Sequence, residues 1–406
     1  MKIGFMAARE TKKVILLVFV TFSLISSRDV VTGRRGLSKE EDWDLDRQLK
    51  FINKPAAKSI QTKYGDILDC IDINKQLAFD HPLLKNHTIQ IRPKFIPKGM
   101  IGKASSTMTS SQFIFKNIGC PPGTVPIRRT QKEDLMMAKY LSLLGRKYPT
   151  NILPLSNNQS GHHFAVLEMK SGCYGSKAHL NIWGPSVSND QFSLASIWLV
   201  NGAEDEINTI QAGWIVNPYL FQNFTRLYTY WTADGYHRTG CFNTNCPGFV
   251  QVSTEIYLGI ILNPLSTYAG EQYEIPLSVY QDHDTGNWWL IYGEDKYVGY
   301  WPKSIFTTLA HGASKVAWGG ETFSPQTEPS PSMGSGHFSK EGFRRSCYFN
   351  RIQVADQTGT FFNLNAGLLD TYADEPKCYD IINGGNSGDE WGNYMYFGGP
   401  GLCIFQ

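Results

Sequence analysis

Beyond residue 162 the sequence consists of short runs of aromatic and aliphatic residues separated by Gly, Asn, Asp and Pro. Aromatic and β-branched residues favour strands, and the intervening residue types favour tight turns. The strand-like runs are residues 163–168, 180–183, 192–200, 207–216, 226–232, 249–253, 273–280, 288–292 and 297–301. This spacing predicts an antiparallel β-sandwich or barrel, with one helical candidate at residues 303–310.

The N-terminus predicts export. Basic residues precede an apolar run at residues 14–25, and small residues follow it, which is typical of a signal peptide at residues 1–27. The run is shorter than the roughly 20 apolar residues of a transmembrane helix, so we expect secretion without stable membrane insertion. Glycosylation sequons at Asn86, Asn158 and Asn223 agree with this prediction.

The eight cysteines also fit an exported chain, because an even number behind a signal peptide favours disulfides. Cys241 and Cys246 are close enough in sequence to close a short loop. The alternative, half of a zinc site, lacks a second Cys/His pair with the required spacing. The cysteines predicted to form disulfides are Cys70, Cys120, Cys241, Cys246, Cys378 and Cys403. Spacing leaves their connectivity open, and it does not decide whether Cys173 pairs with Cys347.

Charge and motifs exclude several function classes. A net charge of +2 argues against nucleic-acid binding, which needs a strongly basic surface. The sequence has no zincin motif, no Gly-x-Ser-x-Gly elbow, no P-loop and no dinucleotide fingerprint, so we predict no metal and no cofactor. Asp284-Thr285-Gly286 matches the aspartic-peptidase tripeptide but has no second copy, and its place between two predicted strands favours a hairpin turn.

The segment before the β region differs in character. Ser38 and Glu41 form a capping-box pattern at the start of a helix that Pro55 ends. We predict a small α+β domain at residues 38–129, a linker at 130–160 and the β domain at 161–406. A processing site in the linker is the sharper interpretation, since proteolytic nicking concentrates in such segments, and a plain connection is the simpler one.

Strand alternation singles out two polar residues. In residues 207–216 one face carries Ile210, Ala212, Trp214 and Val216 and is predicted to be core, so Gln211 points the other way. The same parity around Trp318 puts Glu321 on the opposite face if the strand stays regular. From these residues alone, a solvated strand residue and a turn cap are the simpler interpretation, and a substrate groove is the alternative.

The sequence resembles the neprosin family over most of its length. The resemblance is carried by ordered, collinear blocks at residues 64–70, 79–88, 123–129, 212–214, 230–236, 239–241, 246–251, 286–289, 298–302, 318–321 and 333–338. It implies a secreted plant proenzyme of the apoplast or cell wall, with an activation peptide at residues 38–129 that inhibits a β-sandwich catalytic domain. It also implies a metal-free endopeptidase that cleaves proline-containing peptides at acidic pH.

The resemblance further implies where the catalytic residues lie. The family's second catalytic glutamate corresponds to Glu321, whereas the first corresponds to Gln211. Glutamine cannot act as a base, but its amide donates a hydrogen bond at any pH. We therefore expect Glu321 to be the general base and Gln211 to stabilise the oxyanion, in chemical analogy to the Glu/Gln dyad of the fungal eqolisins.

Two other functions remain open at this point. The first is a catalytically inactive relative that binds peptide or cell-wall material in the same groove. The second is a carbohydrate-binding sandwich, which only the Trp and Tyr content supports. The substrate-groove candidates are Trp214, Tyr230, Trp231 and Trp318.

Overall fold

The computed structural model of the chain describes residues 38–99, 118–136, 161–203, 206–388 and 390–404. The chain divides into two compact units, residues 1–44 and residues 45–406. The predicted signal peptide, the sequon at Asn158 and residues 137–160 of the predicted linker lie outside the described residues.

Helix α1, Lys39–Ile52, begins with the predicted capping box. The Glu41 backbone N–H donates to Oγ of Ser38 at 3.2 Å, and the Ser38 N–H donates to the Glu41 carboxylate at 3.1 Å. These two bonds satisfy backbone donors that a helix start leaves unpaired. The helix ends ahead of Pro55, as the sequence predicts.

A small antiparallel sheet follows, with the order β1 (Ala56–Gln61), β2 (Ile67–Asp72) and β3 (Thr124–Arg128). The disulfide between Cys70 and Cys120 joins β2 to the segment just before β3. This region therefore has the small α+β character that the sequence predicts.

The later strands build the main body. They are β4 (His162–Met169), β5 (Gly175–Asn181), β6 (Phe192–Asn201), β7 (Asn208–Val216), β8 (Thr225–Thr232), β9 (Val250–Gln251), β10 (Glu274–Gln281), β11 (Trp288–Tyr292), β12 (Lys296–Trp301), β13 (Lys315–Phe323), β14 (Cys347–Ala355), β15 (Phe361–Asn363), β16 (Leu369–Ala373), β17 (Asp380–Asn386) and β18 (Asn393–Gly398). A short helix, α2 (Pro218–Phe221), separates β7 from β8.

Within the described ranges these strands form two antiparallel sheets. The nine-stranded sheet has the order β17-β18-β14-β5-β10-β11-β12-β9, with β15 paired to β14. The six-stranded sheet has the order β16-β4-β13-β6-β7-β8. The predicted fold class, a mainly β antiparallel sandwich preceded by a small α+β region, is confirmed.

Alternation along the strands builds the core between the sheets. Leu290 of the nine-stranded sheet and Ile210, Trp214 and Trp318 of the six-stranded sheet belong to one buried cluster. Their strand neighbours point outward, and on the nine-stranded sheet the outer face is apolar too. There a second cluster includes Tyr280, Trp289, Ile291 and Tyr300. Strands covered on both faces explain the near-continuous apolar runs in the sequence.

Residues 76–99 cover part of the outer face of the nine-stranded sheet. The Gln76 side chain pairs with the backbone of Gln251, accepting from its N–H and donating to its C=O at 2.9 Å each. The backbone N–H groups of Lys94 and Phe95 donate to the buried carboxylate of Asp282 at 2.9 and 3.2 Å. Residues 76–99 of the predicted activation peptide are thus bound at this sheet through backbone and side-chain hydrogen bonds.

A buried charge network joins the small sheet to β8. Asp66 accepts from Arg226 at 2.7 Å and from Arg128 at 3.0 Å, and Arg128 also contacts Asp134 at 3.0 Å. Burial raises the pKa of Asp134, although the Arg128 charge opposes that shift. Buried charges of this kind are tolerated because each is paired.

The helix predicted for residues 303–310 is wrong. The segment forms two 3₁₀ turns, Lys303–Ile305 and Leu309–His311. Oδ1 of Asn208 accepts from the backbone N–H groups of Thr307, Thr308 and Leu309, at distances of 2.8 to 3.3 Å. A side chain distant in sequence therefore takes the donors that an α-helix would use.

Two other sequence interpretations hold. Asp284, Thr285 and Gly286 form the turn of the β10–β11 hairpin, where the Gly286 N–H donates to the carbonyl of Asp282 at 2.7 Å. The cysteines predicted to form disulfides pair as Cys70–Cys120, Cys241–Cys246 and Cys378–Cys403. Cys173 and Cys347 are buried and do not pair with each other.

Candidate active site

Gln211 on β7 and Glu321 on β13 project from the same outer face of the six-stranded sheet. Strand β6 lies between their strands, where Gln211 pairs with Trp198 and Glu321 pairs with Leu194. Trp198 and Leu194 are four residues apart on β6, so both pairs share one face. The face is opposite to the core that holds Trp214 and Trp318, as alternation predicts.

The row of residues between these two positions is small. Gly213, Ser196 and Gly319 face one another across β7, β6 and β13. A Cβ atom added to Gly213 would lie 1.9 Å from a carbonyl oxygen of β6, and one added to Gly319 would lie 2.2 Å from a carbonyl oxygen of β4. Larger residues do not fit at these two positions, so the row between Gln211 and Glu321, called the trough below, carries only the Ser196 side chain.

Apolar side chains surround the trough. Gln211 and Glu321 are each 3% exposed. The cluster on this face includes Phe164, Leu194, Trp198, Ile215, Tyr228 and Ala317. Electrostatic interactions and hydrogen bonds are stronger in such low-dielectric surroundings than in water.

Gln211 uses only part of its hydrogen-bonding capacity. Its Nε2 donates to the hydroxyl of Tyr236 at 3.1 Å, and that hydroxyl also lies 3.1 Å from Oγ1 of Thr209. Oε1 of Gln211 is buried and has no partner in the described part of the chain. Other buried side-chain atoms in that part of the chain also lack a partner, so the amide is a functional candidate because it shares a face with Glu321 as well.

The loop after β8 holds Tyr236 in an unusual conformation, with φ of +69°. The Asp234 carboxylate fixes this loop by accepting from the backbone N–H groups of Arg238 and Thr239 at 3.0 and 3.1 Å and from Oγ1 of Thr239 at 2.7 Å. Burial raises the pKa of Asp234, but the hydrogen bonds from Thr239 and Arg238 outweigh it and bring the pKa below its usual value. The loop is thus a rigid support for the group that contacts Gln211.

Glu321 is paired with a histidine that sequence reasoning did not single out. Its Oε1 lies 2.7 Å from Nδ1 of His162, and the side chains are 4% and 0% exposed. The His162 ring contacts Phe323 and Phe192, with centroid distances of 4.8 and 5.7 Å. Oε2 of Glu321 has no hydrogen bond to any described residue, so it can accept one from a water molecule or a substrate.

Three of the four predicted groove residues are in the wrong place. Trp214, Trp231 and Trp318 are at most 1% exposed and belong to the core between the sheets. Alternation puts them on the face opposite to Gln211, so they cannot line its groove. Tyr230 does lie on the correct face, where it pairs with Gln211 across the strands.

Trp198 is the tryptophan of this face, and no local pattern in the sequence distinguishes it. Eight of the ten tryptophans are buried, so the tryptophan content gives no support to a carbohydrate-binding surface. The predicted glycosylation sites Asn86 and Asn223 are exposed, and their modification stays a prediction.

The part of the chain that the structure describes has no candidate metal centre and no candidate membrane span. No group of three or more His, Cys, Asp or Glu side chains there is arranged to hold a metal ion. None of the helices described has the length and hydropathy needed to cross a bilayer.

Comparison with known proteins identifies the family. The neprosin family model matches residues 189–400, and the neprosin activation-peptide model matches residues 59–168. This chain belongs to the neprosin family. The match to both models makes it a neprosin-family proform, and both Gln211 and Glu321 fall within the first matched range.

Solved structures of glutamic peptidases are also similar to this neprosin-family chain. Scytalido-glutamic peptidase with a transition-state analogue inhibitor is 11% identical, with a TM-score of 0.32, and the match covers 58% of this chain and 97% of that one. SCP-B, a member of the eqolisin family of peptidases in complex with the tripeptide Ala-Ile-His, is 10% identical with a TM-score of 0.31, at 58% and 97% coverage.

The matched ranges also bear on His162. The activation-peptide match extends to residue 168, so it includes most of β4. Strand β4 pairs with β13 and β16 inside the six-stranded sheet. A segment matched by the activation-peptide model of neprosins therefore supplies the histidine that contacts Glu321.

Proposed function

We propose that this neprosin-family protein is a secreted glutamic endopeptidase in its proform, with Glu321 as general base and Gln211 as oxyanion stabiliser. The observation that carries the proposal is the placement of both side chains on one buried face, on either side of the trough, the row of small residues in which Ser196 supplies the one side chain. An extended peptide in that trough would bring a scissile carbonyl between a carboxylate oxygen and an amide.

The reaction uses Oε2 of Glu321 and the second N–H of the Gln211 amide, which remains after Nε2 has donated once to Tyr236. Oε2 of Glu321 takes a proton from a water molecule whose oxygen attacks the scissile carbonyl carbon. The C=O π bond opens to an oxyanion, which accepts a hydrogen bond from the Gln211 amide. The intermediate collapses when the C–N bond breaks and the proton held by Glu321 moves to the leaving amine. Neither step consumes a cofactor.

Tyr236 lets the Gln211 amide serve in this role. A tyrosine hydroxyl both donates and accepts, so it supports the amide in either orientation. With Nε2 on Tyr236, the second N–H of the amide is available to an oxyanion. After a half-turn of the amide, the hydroxyl donates to Oε1 and both N–H groups are available.

The substrate class and conditions come from the resemblance to neprosins. We propose cleavage of proline-containing peptides at acidic pH in the extracellular space, with residues 38–129 as the inhibitory activation peptide and processing within residues 130–160. A glutamine carries no charge at any pH in this range, so its donor is present throughout.

The test compares variants of the secreted full-length proform after exposure to acidic pH, on a quenched fluorescent peptide that contains proline. We expect the native protein to cleave the peptide. Glu321→Gln should lower kcat by about 1,000-fold or more. Glu274→Gln is the matched control, because Glu274 is also buried and bonded to a histidine Nδ1 at 2.7 Å, but in the other sheet. It should keep activity within about twofold, and equal loss in both variants would contradict the assignment.

The presence of Gln211 where neprosins have a catalytic glutamate supports one competing function. The chain would then be an inactive relative that binds peptide or cell-wall material. No turnover by the processed native protein, together with activity gained in Gln211→Glu, would decide for this alternative.

A further inference from the structure

We infer that His162 is a positioning residue for Glu321, which holds one carboxylate oxygen so that the other faces the substrate. The kinetic part of this inference rests on the peptidase function proposed above. The contact between the two residues is independent of that function, since Nδ1 of His162 and Oε1 of Glu321 lie 2.7 Å apart on the buried face. Bases that act in catalysis are commonly oriented by a third group in this way.

The His162 ring is held in one orientation by its row in the sheet. His162 pairs with Phe323 on β13, and Phe323 pairs in turn with Phe192 on β6. The imidazole thus sits against two phenyl rings at the start of β4. Strand β4 is paired with β13, and the two phenyl rings enclose the imidazole. Nδ1 therefore already points at Glu321, and no side-chain entropy is lost in orienting it at each turnover.

The hydrogen-bond chemistry fixes which nitrogen carries the proton. An ionised carboxylate only accepts, so Nδ1 of His162 must be the donor. Nε2 of the ring is buried and has no partner among the described residues. An N–H there would be unsatisfied, so the pair favours the Nδ1–H tautomer. Oε1 of Glu321 is then occupied, and Oε2 is the atom left for a water molecule.

A second histidine–glutamate pair shows what a purely structural arrangement looks like. Nδ1 of His179 lies 2.7 Å from Oε1 of Glu274, the same distance as in the first pair. Oε2 of Glu274, however, accepts from Nδ2 of Asn350 at 3.2 Å. Both oxygens of the structural carboxylate are bonded, whereas Glu321 keeps one open. The difference assigns the histidine of the first pair to orientation of a reactive group.

The kinetic experiment uses the acid-exposed full-length protein and replaces each histidine in two ways. Phenylalanine keeps a ring without a donor, and asparagine keeps a donor near the Nδ1 position without the ring. We expect His162→Phe to lower kcat by about 100-fold with KM within about twofold, because the carboxylate is misplaced by about an ångström. His162→Asn should recover at least about tenfold of that loss, while His179→Phe and His179→Asn stay within about twofold of native kcat.

Equal kcat losses in His162→Phe and His162→Asn, or no loss in a folded His162→Phe, would overturn the inference. A spectroscopic arm keeps it testable if the native protein has no turnover. In full-length protein labelled with ¹⁵N-histidine, we expect His162 as the Nδ1–H tautomer, with a shift of its ¹⁵N signals in Glu321→Gln. The His162 signals are assigned by their loss in His162→Asn. An Nε2–H tautomer would overturn the inference regardless of activity. The expected tautomer in a protein without turnover would count against the proposed function alone.

Discussion

Two pairs of buried polar residues, one at the outer face of each sheet, differ in how fully their side chains are hydrogen-bonded. At the nine-stranded sheet, the Gln76 side chain bonds the backbone of Ile73 and Gln251. The Asp282 carboxylate accepts from the backbone N–H groups of Lys94 and Phe95. At the six-stranded sheet, Oε1 of Gln211 is buried and has no donor among the described residues. Glu321 bonds His162 through Oε1, and its Oε2 has no hydrogen bond to a described residue. Stability explains the first arrangement and not the second, since an unpaired buried polar atom is destabilising.

The hydrogen bonding of buried polar residues helps to locate the candidate site in this fold. Buried polar residues are present on both faces, so burial alone does not separate them. Incomplete hydrogen bonding separates Gln211 from Gln76, but it also occurs at Trp289 and Asn350 of the nine-stranded sheet, so it indicates function only together with the shared face of Gln211 and Glu321. We call the surroundings of Gln76 and Asp282 the matched face and those of Gln211 and Glu321 the open face. We expect the polar groups of the matched face to stabilise the protein and those of the open face to lower its stability.

The largest effect is expected for Asp282→Ala on the matched face. Its fully buried carboxylate accepts from the N–H groups of Lys94, Phe95 and Asp284 and from Oγ1 of Thr285. Removing it leaves three backbone donors unpaired, at about 1 to 3 kcal/mol for each that stays buried, so unfolding free energy should fall by about 4 kcal/mol. Urea unfolding of the full-length protein measures this.

Asp284→Ala is the control for that experiment. Asp284 lies in the same turn, but its side chain is 51% exposed and, among the described residues, its carboxylate bonds only His283. We expect a change within about 0.5 kcal/mol. Similar losses in the two variants would mean that the turn itself, and not the bond to residues 94–95, stabilises this face.

Glutamine-to-methionine replacements should give opposite signs on the two faces. Gln76 is fully bonded, so Gln76→Met should lower the unfolding free energy by about 2 kcal/mol. Gln211→Met loses one bond to Tyr236 but also removes the unpaired Oε1, so stability should rise by about 1 kcal/mol. The measurement is the urea midpoint of both variants at neutral pH. A clear loss of stability in Gln211→Met would break the comparison.

Local sequence patterns predict the faces of the strands but not the contacts between them. Alternation alone puts Gln211 and Glu321 opposite the core residues Trp214 and Trp318, and the structure has them there. The same alternation places Trp214 and Trp318 on the core side of their strands. The prediction that they line the groove gave residue type more weight than strand alternation. Residue type is a weaker guide because aromatic residues fill cores as often as they line sites.

The site residues that local sequence patterns do not predict are those that only long-range pairing brings together. His162 and Glu321 are 159 positions apart in sequence, and Tyr236 reaches Gln211 from a loop 25 positions away. No periodicity links such residues. The failed helix at residues 303–310 has the same cause, because Asn208, 99 positions from Thr307, captures its backbone donors. Hydrogen bonds of this range depend on sheet order, which a single sequence does not specify.

The smallest effect concerns the loop that supports the open face. Burial opposes ionisation of Asp234, but hydrogen bonds from Thr239 and Arg238 dominate and keep its pKa below the usual value. A carboxyl group with a lowered folded-state pKa stabilises the protein above the unfolded pKa of about 3.9, and that stability fades as the pH falls through the folded value. Asp234→Asn should therefore lower the unfolding free energy by about 1 kcal/mol at pH 6, with the difference shrinking below about pH 4. Thermal unfolding across this pH range measures the difference. Because the loop carries Tyr236, kcat should fall as well, by less than about tenfold. A stability difference that grows on acidification would show that Asp234 does not fix the loop through its ionised form, and the open face would then owe its geometry to the strands alone.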